Sequence, residues 1–228
     1  MNNSPIETTY KTDRAVEIGI MQGRLLPKYQ GRYQAHPVGY WESEFTIAKS
    51  FDLASIEFIL DYNDVAANPL VTEAGLEKIR AVSEKSGVQV RSICADYFMH
   101  APLHSSDPII KEESLRQIER LLANAAKLGV TDIVIPCVDQ SSLLDRQAQL
   151  RFVNAIRSLE DIVDDTEVRL CLETDLGPQE FTRLLEEIQL PQVTVNYDIG
   201  NSAALGYDTE EEIECYGSQI TDVHIKDR

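Results

Sequence analysis

Short β-branched apolar runs alternate along the whole chain with longer amphipathic stretches, and this alternation restricts the fold more than any other feature. The strand-like runs are Val16–Met21, Ser55–Leu60, Val88–Cys94, Asp132–Cys137, Val168–Glu173, Val193–Asp198 and Ile220–Ile225. Most are apolar throughout, as expected of parallel strands covered on both faces. Between them the spacing predicts helices over Trp41–Ser50, Thr72–Ser86, Asp107–Leu128, Leu144–Val163, Pro178–Ile188 and Thr209–Tyr216. The boundaries carry their own signals. Pro108 stands in a first turn, Gly87 and Gly129 follow helix ends, and acidic residues crowd the start of the last helix. Strand starts recur every 25 to 44 residues without a linker or a composition shift. The expectation is a polar lead-in over residues 1–15, then one βα-repeat domain over 16–228 with a parallel sheet.

Two α/β architectures fit such repetition, a doubly wound open sheet and a (β/α)8 TIM barrel. A GxGxxG turn after the first strand would mark the open sheet. The first strand runs instead into Gln22-Gly23-Arg24. A full barrel needs about 250 residues, and the sequence has 228. Seven units in strict alternation favour the (β/α)8 TIM barrel, with an eighth unit missing. The outer edges of strands 1 and 7 would then be open. A fragment of a longer protein meets that condition. So does a second chain that closes the sheet, which leaves a homo-oligomer open.

Charge and cysteine usage exclude several classes. With 21 Lys and Arg against 38 Asp and Glu, the formal charge is −17. That opposes a nucleic-acid backbone as partner. No run of about 20 apolar residues suggests a membrane span, and the first residues lack a secretory core. Four cysteines without a CxxC pair read as free thiols of a cytoplasmic protein.

In either architecture the chemistry lies at the carboxyl ends of the strands. The polar residues there are Gln22 and Arg24, Glu57, Asp96 and His100, Asp139, Glu173, Asp198, and then His224, Lys226 and Asp227. Glu173, Asp198 and His224 fall at matching depths on three neighbouring strands. Two carboxylates and an imidazole suit one divalent cation (Mn, Mg, Co or Zn) with positions left for substrate oxygens. Each residue alone could equally end its strand against solvent or a helix N-terminus. Asp222 is expected to point outward and His36 and His104 to be structural. The stretch 28–36, without periodicity, is read as a lid over the pocket.

The segments LCLETD (170–175), NYDIGN (196–201) and VHIKDR (223–228), with IGIMQGRL near the start, resemble the sugar phosphate isomerase/epimerase group of xylose isomerase-like TIM barrels. The resemblance runs from about Val16 to the last residue. It implies that Glu173, Asp198 and His224 hold the metal and that Glu173 is also the base. It implies a substrate role for Glu57, for His100, and for Lys226 and Arg228, which would face a sugar or its phosphate; Gln22 and Arg24 join this substrate-side set. The family's usual fourth ligand, a Glu on strand 8, has no counterpart, so the resemblance implies a TIM barrel truncated after its seventh strand, lacking helix 7, strand 8 and helix 8. The implied activity is isomerase or epimerase chemistry on a small sugar or sugar phosphate, by proton transfer next to a carbonyl through an enediolate. One alternative is a non-catalytic sugar-binding barrel. Another is an endonuclease IV-like repair enzyme, which the few histidines and the net charge oppose.

Overall fold

The structure is a computed structural model, and it describes residues 17–227. The lead-in 1–15, Val16 and Arg228 lie outside the described residues. The chain runs β1 (Gly19–Met21), α1 (Glu42–Ser50), β2 (Ser55–Ile59), α2 (Glu73–Ser86), β3 (Ser92–Cys94), α3 (Tyr97–His100) and α4 (Pro108–Leu128). It continues through β4 (Asp132–Cys137), α5 (Arg146–Arg157), α6 (Glu160–Thr166), β5 (Arg169–Thr174) and α7 (Pro178–Ile188). The last elements are β6 (Val193–Asp198), α8 (Ile199–Leu205), α9 (Thr209–Tyr216) and β7 (Ile220–His224). All seven strands are parallel and pair in chain order.

The sheet curls round a common axis. In a flat sheet, strands five places apart would stand about 24 Å from one another at 4.8 Å per strand. Yet Glu57 of β2 and His224 of β7 approach to 2.9 Å. Inward side chains from five successive strands (Met21, Ile59, Cys94, Val134 and Cys171) also meet in one cluster. This is the (β/α) barrel arrangement, represented here by seven strands.

Alternation along each strand divides two environments. On β2, Ile56 and Phe58 face outward and pack with the helix residues Phe45, Ala48 and Ile79 in the main core. Glu57 and Ile59, which alternate with them, face the axis. Burying each outward Ile or Phe stabilises the fold by roughly 1.5–3 kcal/mol. The predicted caps are in place. Thr72 Oγ1 accepts from Gly75 N at 3.1 Å, and Gly87 and Gly129 end their helices with φ of 77° and 74°.

Two expectations are corrected, and two short helices are added. The helix read over 144–163 is two helices, α5 and α6, broken where Ser158 Oγ donates back to Ala155 O and Leu159 leaves helical geometry. α3 and α8 carry no periodic signal, being only 4 and 7 residues long. Asp222 faces the axis, not the outside. It is two residues from His224 and so shares its face, while Val223 is the exposed neighbour.

Candidate active site

Glu173 stands near the end of β5, and Asp198 and His224 are the last residues of β6 and β7. Register puts Asp198 opposite His224. One ligand atom from each of the three lies within 4.8 Å of the others. His224 Nδ1 is 3.5 Å from Glu173 Oε2 and 3.8 Å from Asp198 Oδ2.

Asp198 serves two elements at once. Its Oδ1 accepts from Asn201 N at 2.9 Å and so caps α8, which leaves Oδ2 facing the site. Lys226 Nζ stands 2.5 Å from that oxygen. Gly200 lets the end of the chain come so near, because a Cβ there would meet Lys226 Cγ and Lys226 O at 2.8 Å. Glu173 is held by two amides: Asn196 Nδ2 donates to Oε2 at 2.9 Å and Asn201 Nδ2 donates to Oε1. Glu57 Oε2 accepts from Ser92 Oγ at 2.6 Å, while its Oε1 faces His224 Nε2.

The electrostatics follow from this crowding. Burial by itself would lower the His224 pKa, but Asp198, Glu173 and Glu57 outweigh it and push it up to about 12. Burial opposes ionisation of Asp198, yet His224, Lys226 and the Asn201 N–H bring it down to about 2. Three carboxylates therefore converge on one imidazole and one ammonium, an excess of negative charge in a buried pocket.

The residues fit a divalent cation. Asn196 Oδ1 is buried without a hydrogen-bond partner among the described residues. A buried polar atom left so costs about 1–3 kcal/mol, and a cation among the ligands would relieve the electrostatic part of that cost. Glu173, Asp198 and His224 would hold it.

The family model for xylose isomerase-like TIM barrels matches residues 45–228. The chain belongs to the xylose isomerase-like TIM barrel family. The L-ribulose-5-phosphate 3-epimerase UlaE of Salmonella heidelberg is 25% identical over 203 residues, spanning 85% of this chain and 71% of its own. A D-psicose 3-epimerase solved in the presence of D-fructose superposes with a TM-score of 0.72 at 17% identity, covering 92% of this chain and 72% of its own. A family barrel from Mycobacterium smegmatis, solved in complex with magnesium, gives 0.69 at 18% identity over 92% and 74% of the two chains.

In this xylose isomerase-like barrel the remaining predicted residues take different places. Gln22 is fully buried, its Oε1 accepting from Ile59 N at 3.0 Å and lying 3.2 Å from His36 Nδ1. Arg24 is exposed and donates to Gln34 Oε1, while Gln34 Nε2 donates to Asp96 Oδ2, both at 3.2 Å. Burial pushes Asp96 up to about 6. His100 lies on α3, exposed, with its ring 5.6 Å from that of Tyr62 and Gln140 Nε2 3.4 Å from its Nδ1. The stretch 28–36 is tied down at several points. Tyr29 and Gln30 donate to Asp64, Arg32 pairs with Asp61, and His36 N donates to Asp61. Arg228 lies outside the described residues.

Sequence reading missed Asn196, Asn201 and Ser92. Asn196 was within reach, since it stands two residues before Asp198 on the same strand face. Asn201 reaches Glu173 only because α8 folds back directly from Asp198.

Proposed function

We propose that this barrel is a divalent-metal-dependent isomerase or epimerase of a sugar or sugar phosphate, acting by proton transfer next to a carbonyl. The observation that carries the reading is the convergence of Glu173, Asp198 and His224 within 4.8 Å at the carboxyl ends of adjacent strands. The sugar 3-epimerases among its relatives supply the substrate class. A bound cation of this kind polarises a carbonyl oxygen and stabilises enediolate charge.

The chain's own groups do the rest. Glu173 takes the proton from the carbon next to the carbonyl and returns it. The Asn196 and Asn201 amides donate to its two oxygens and hold its carboxylate in one orientation. Returning the proton from one face to the adjacent carbon is aldose–ketose isomerisation. Epimerisation adds a second acid on the opposite face. Lys226 and Arg228 are proposed to meet the anionic or hydroxyl end of the substrate. His100, Gln22 and Arg24 are proposed to act on the substrate side from further out.

The test is hydrogen exchange from solvent into a ketose or ketose phosphate, with and without Mn2+. Metal-dependent exchange is expected in the parent protein and its loss in Glu173→Gln. Exchange surviving that substitution removes Glu173 as the base.

One observation favours a second reading, a non-catalytic sugar-binding barrel. The Lys226 ammonium at 2.5 Å already gives Asp198 a cation. Metal analysis of the purified protein separates the two: tight sugar binding by a protein that takes up no divalent metal supports the binding barrel.

A further inference from the structure

We propose that Asn196 supplies a further protein ligand to the cation, through its side-chain carbonyl oxygen. The inference rests on the metal-dependent reading above. Asn196 comes from the middle of β6, is 2% exposed, and projects to the axis beneath Asp198. Its Nδ2 lies 2.9 Å from Glu173 Oε2 and 3.0 Å from His224 Nδ1, and those two atoms are 3.5 Å apart. One end of the Asn196 amide thus sits between the atoms through which two of the ligands face the site.

The amide's two separations match those between neighbouring ligands of a coordination shell, while Glu173 Oε2 and His224 Nδ1 stand 3.5 Å apart. With bonds of about 2.1 Å, neighbouring ligands of an octahedral ion stand about 3.0 Å apart. The amide end meets that separation from both Glu173 Oε2 and His224 Nδ1.

The two ends of a carboxamide have nearly the same shape, so half a turn about the terminal torsion exchanges oxygen for nitrogen. Asn196 Oδ1 is buried with no hydrogen-bond partner among the described residues. The turn breaks no hydrogen bond at that end and gives up the two contacts of Nδ2, with Glu173 Oε2 and His224 Nδ1, in exchange for a bond to the ion. It replaces the N–H donated to Glu173 with an oxygen presented to the ion that Glu173 also binds. The side chain that lies between Glu173 and His224 would thus become a ligand beside them. A carbonyl added to two carboxylates makes the donor set richer in oxygen, which favours Mg2+ or Mn2+ over Zn2+.

The experiment is a crystal structure of the Mn2+-loaded protein, together with Mn2+ titration calorimetry on the parent, Asn196→Leu and Asn196→Asp. The expected result is Asn196 Oδ1 at about 2.2 Å from the ion. Affinity should fall at least roughly tenfold in Asn196→Leu and be retained in Asn196→Asp, which keeps an oxygen and loses the N–H. If Asn196→Leu does not fold, the crystal structure of the parent decides alone. Mn2+ bound with Asn196 outside its shell overturns this inference and leaves the proposed function standing. A parent protein that takes up no Mn2+ overturns both.

Discussion

His224 Nε2 lies 2.9 Å from Glu57 Oε1, although β7 and β2 are five places apart in the sheet. Glu57 is in turn held by Ser92 Oγ. With the contacts to Asp198 and Glu173, the Glu57 contact favours the protonated imidazole. Against the lowering effect of burial, Asp198, Glu173 and Glu57 raise the His224 pKa to about 12. A raised pKa contributes stability that is fully present below the unfolded value near 6.5. That contribution is lost as pH rises through the folded value. NMR titration of the metal-free protein should find His224 protonated at pH 8, and Glu57→Gln should lower its midpoint. Adding metal must expel that proton, so calorimetry at pH 8 in buffers of different ionisation enthalpy should register release of about one proton per ion. Binding heat independent of buffer would count against His224 as a ligand.

Gly200 is expected to tolerate no side chain. A Cβ would stand 2.8 Å from Lys226 O, a backbone atom, so the end of the chain would have to shift. Gly200→Ala should weaken metal binding and activity while the far-UV CD spectrum stays unchanged. Unaltered metal affinity would show that the segment after β7 moves freely.

Glu44 organises the loop after β1. Its buried carboxylate accepts from Gly23 N at 2.9 and 2.8 Å and from Leu25 N at 3.1 Å. Glu44→Ala leaves both N–H groups without that acceptor, at a cost of about 1–3 kcal/mol for each one that stays buried. Urea unfolding should show a loss of that order, with a smaller loss in Glu44→Gln, which keeps one acceptor oxygen. Equal losses in the two variants would mean the charge, not the acceptor, matters.

Burial lowers His36 to about 4, and burial together with Arg151 lowers His104 to about 4. Both are neutral in the folded protein where the unfolded chain, near 6.5, is already protonated. The unfolded state therefore binds more protons between about pH 4 and 6.5, and stability falls as pH drops through that window. Each site can contribute up to about 3 kcal/mol. Asp96 and Asp222, both raised to about 6 chiefly by burial, act in the opposite sense near the same pH. The comparison is therefore parent against His36→Gln and His104→Gln, whose stability should depend less steeply on pH there. Identical slopes would sink the assignment.

The order of elements was legible because periodicity is local. A β-branched run followed by an amphipathic helix announces a parallel strand and its crossover with no knowledge of the rest of the chain. The same logic placed Glu173, Asp198 and His224 at strand ends. Since parallel strands present their carboxyl ends on one side, three polar residues at one depth can meet there. The sequence by itself therefore determined the α/β class, the strand order and the level at which the charged residues gather.

Curvature decided the rest. Only a sheet that bends round its axis brings Glu57 to His224, and only α8, folding straight back from Asp198, carries Asn201 to Glu173. Asp222 shows how a local rule fails when the face is assigned from the wrong neighbour, since its side is set by His224 two residues on. Asn196 could be placed on the face of Asp198 from sequence, but its contacts could not. Its role comes from three strands placing an amide, a carboxylate and an imidazole within 3.5 Å of one another. Pattern along one chain cannot report such distances, because they depend on how far the sheet has curled between one strand and another.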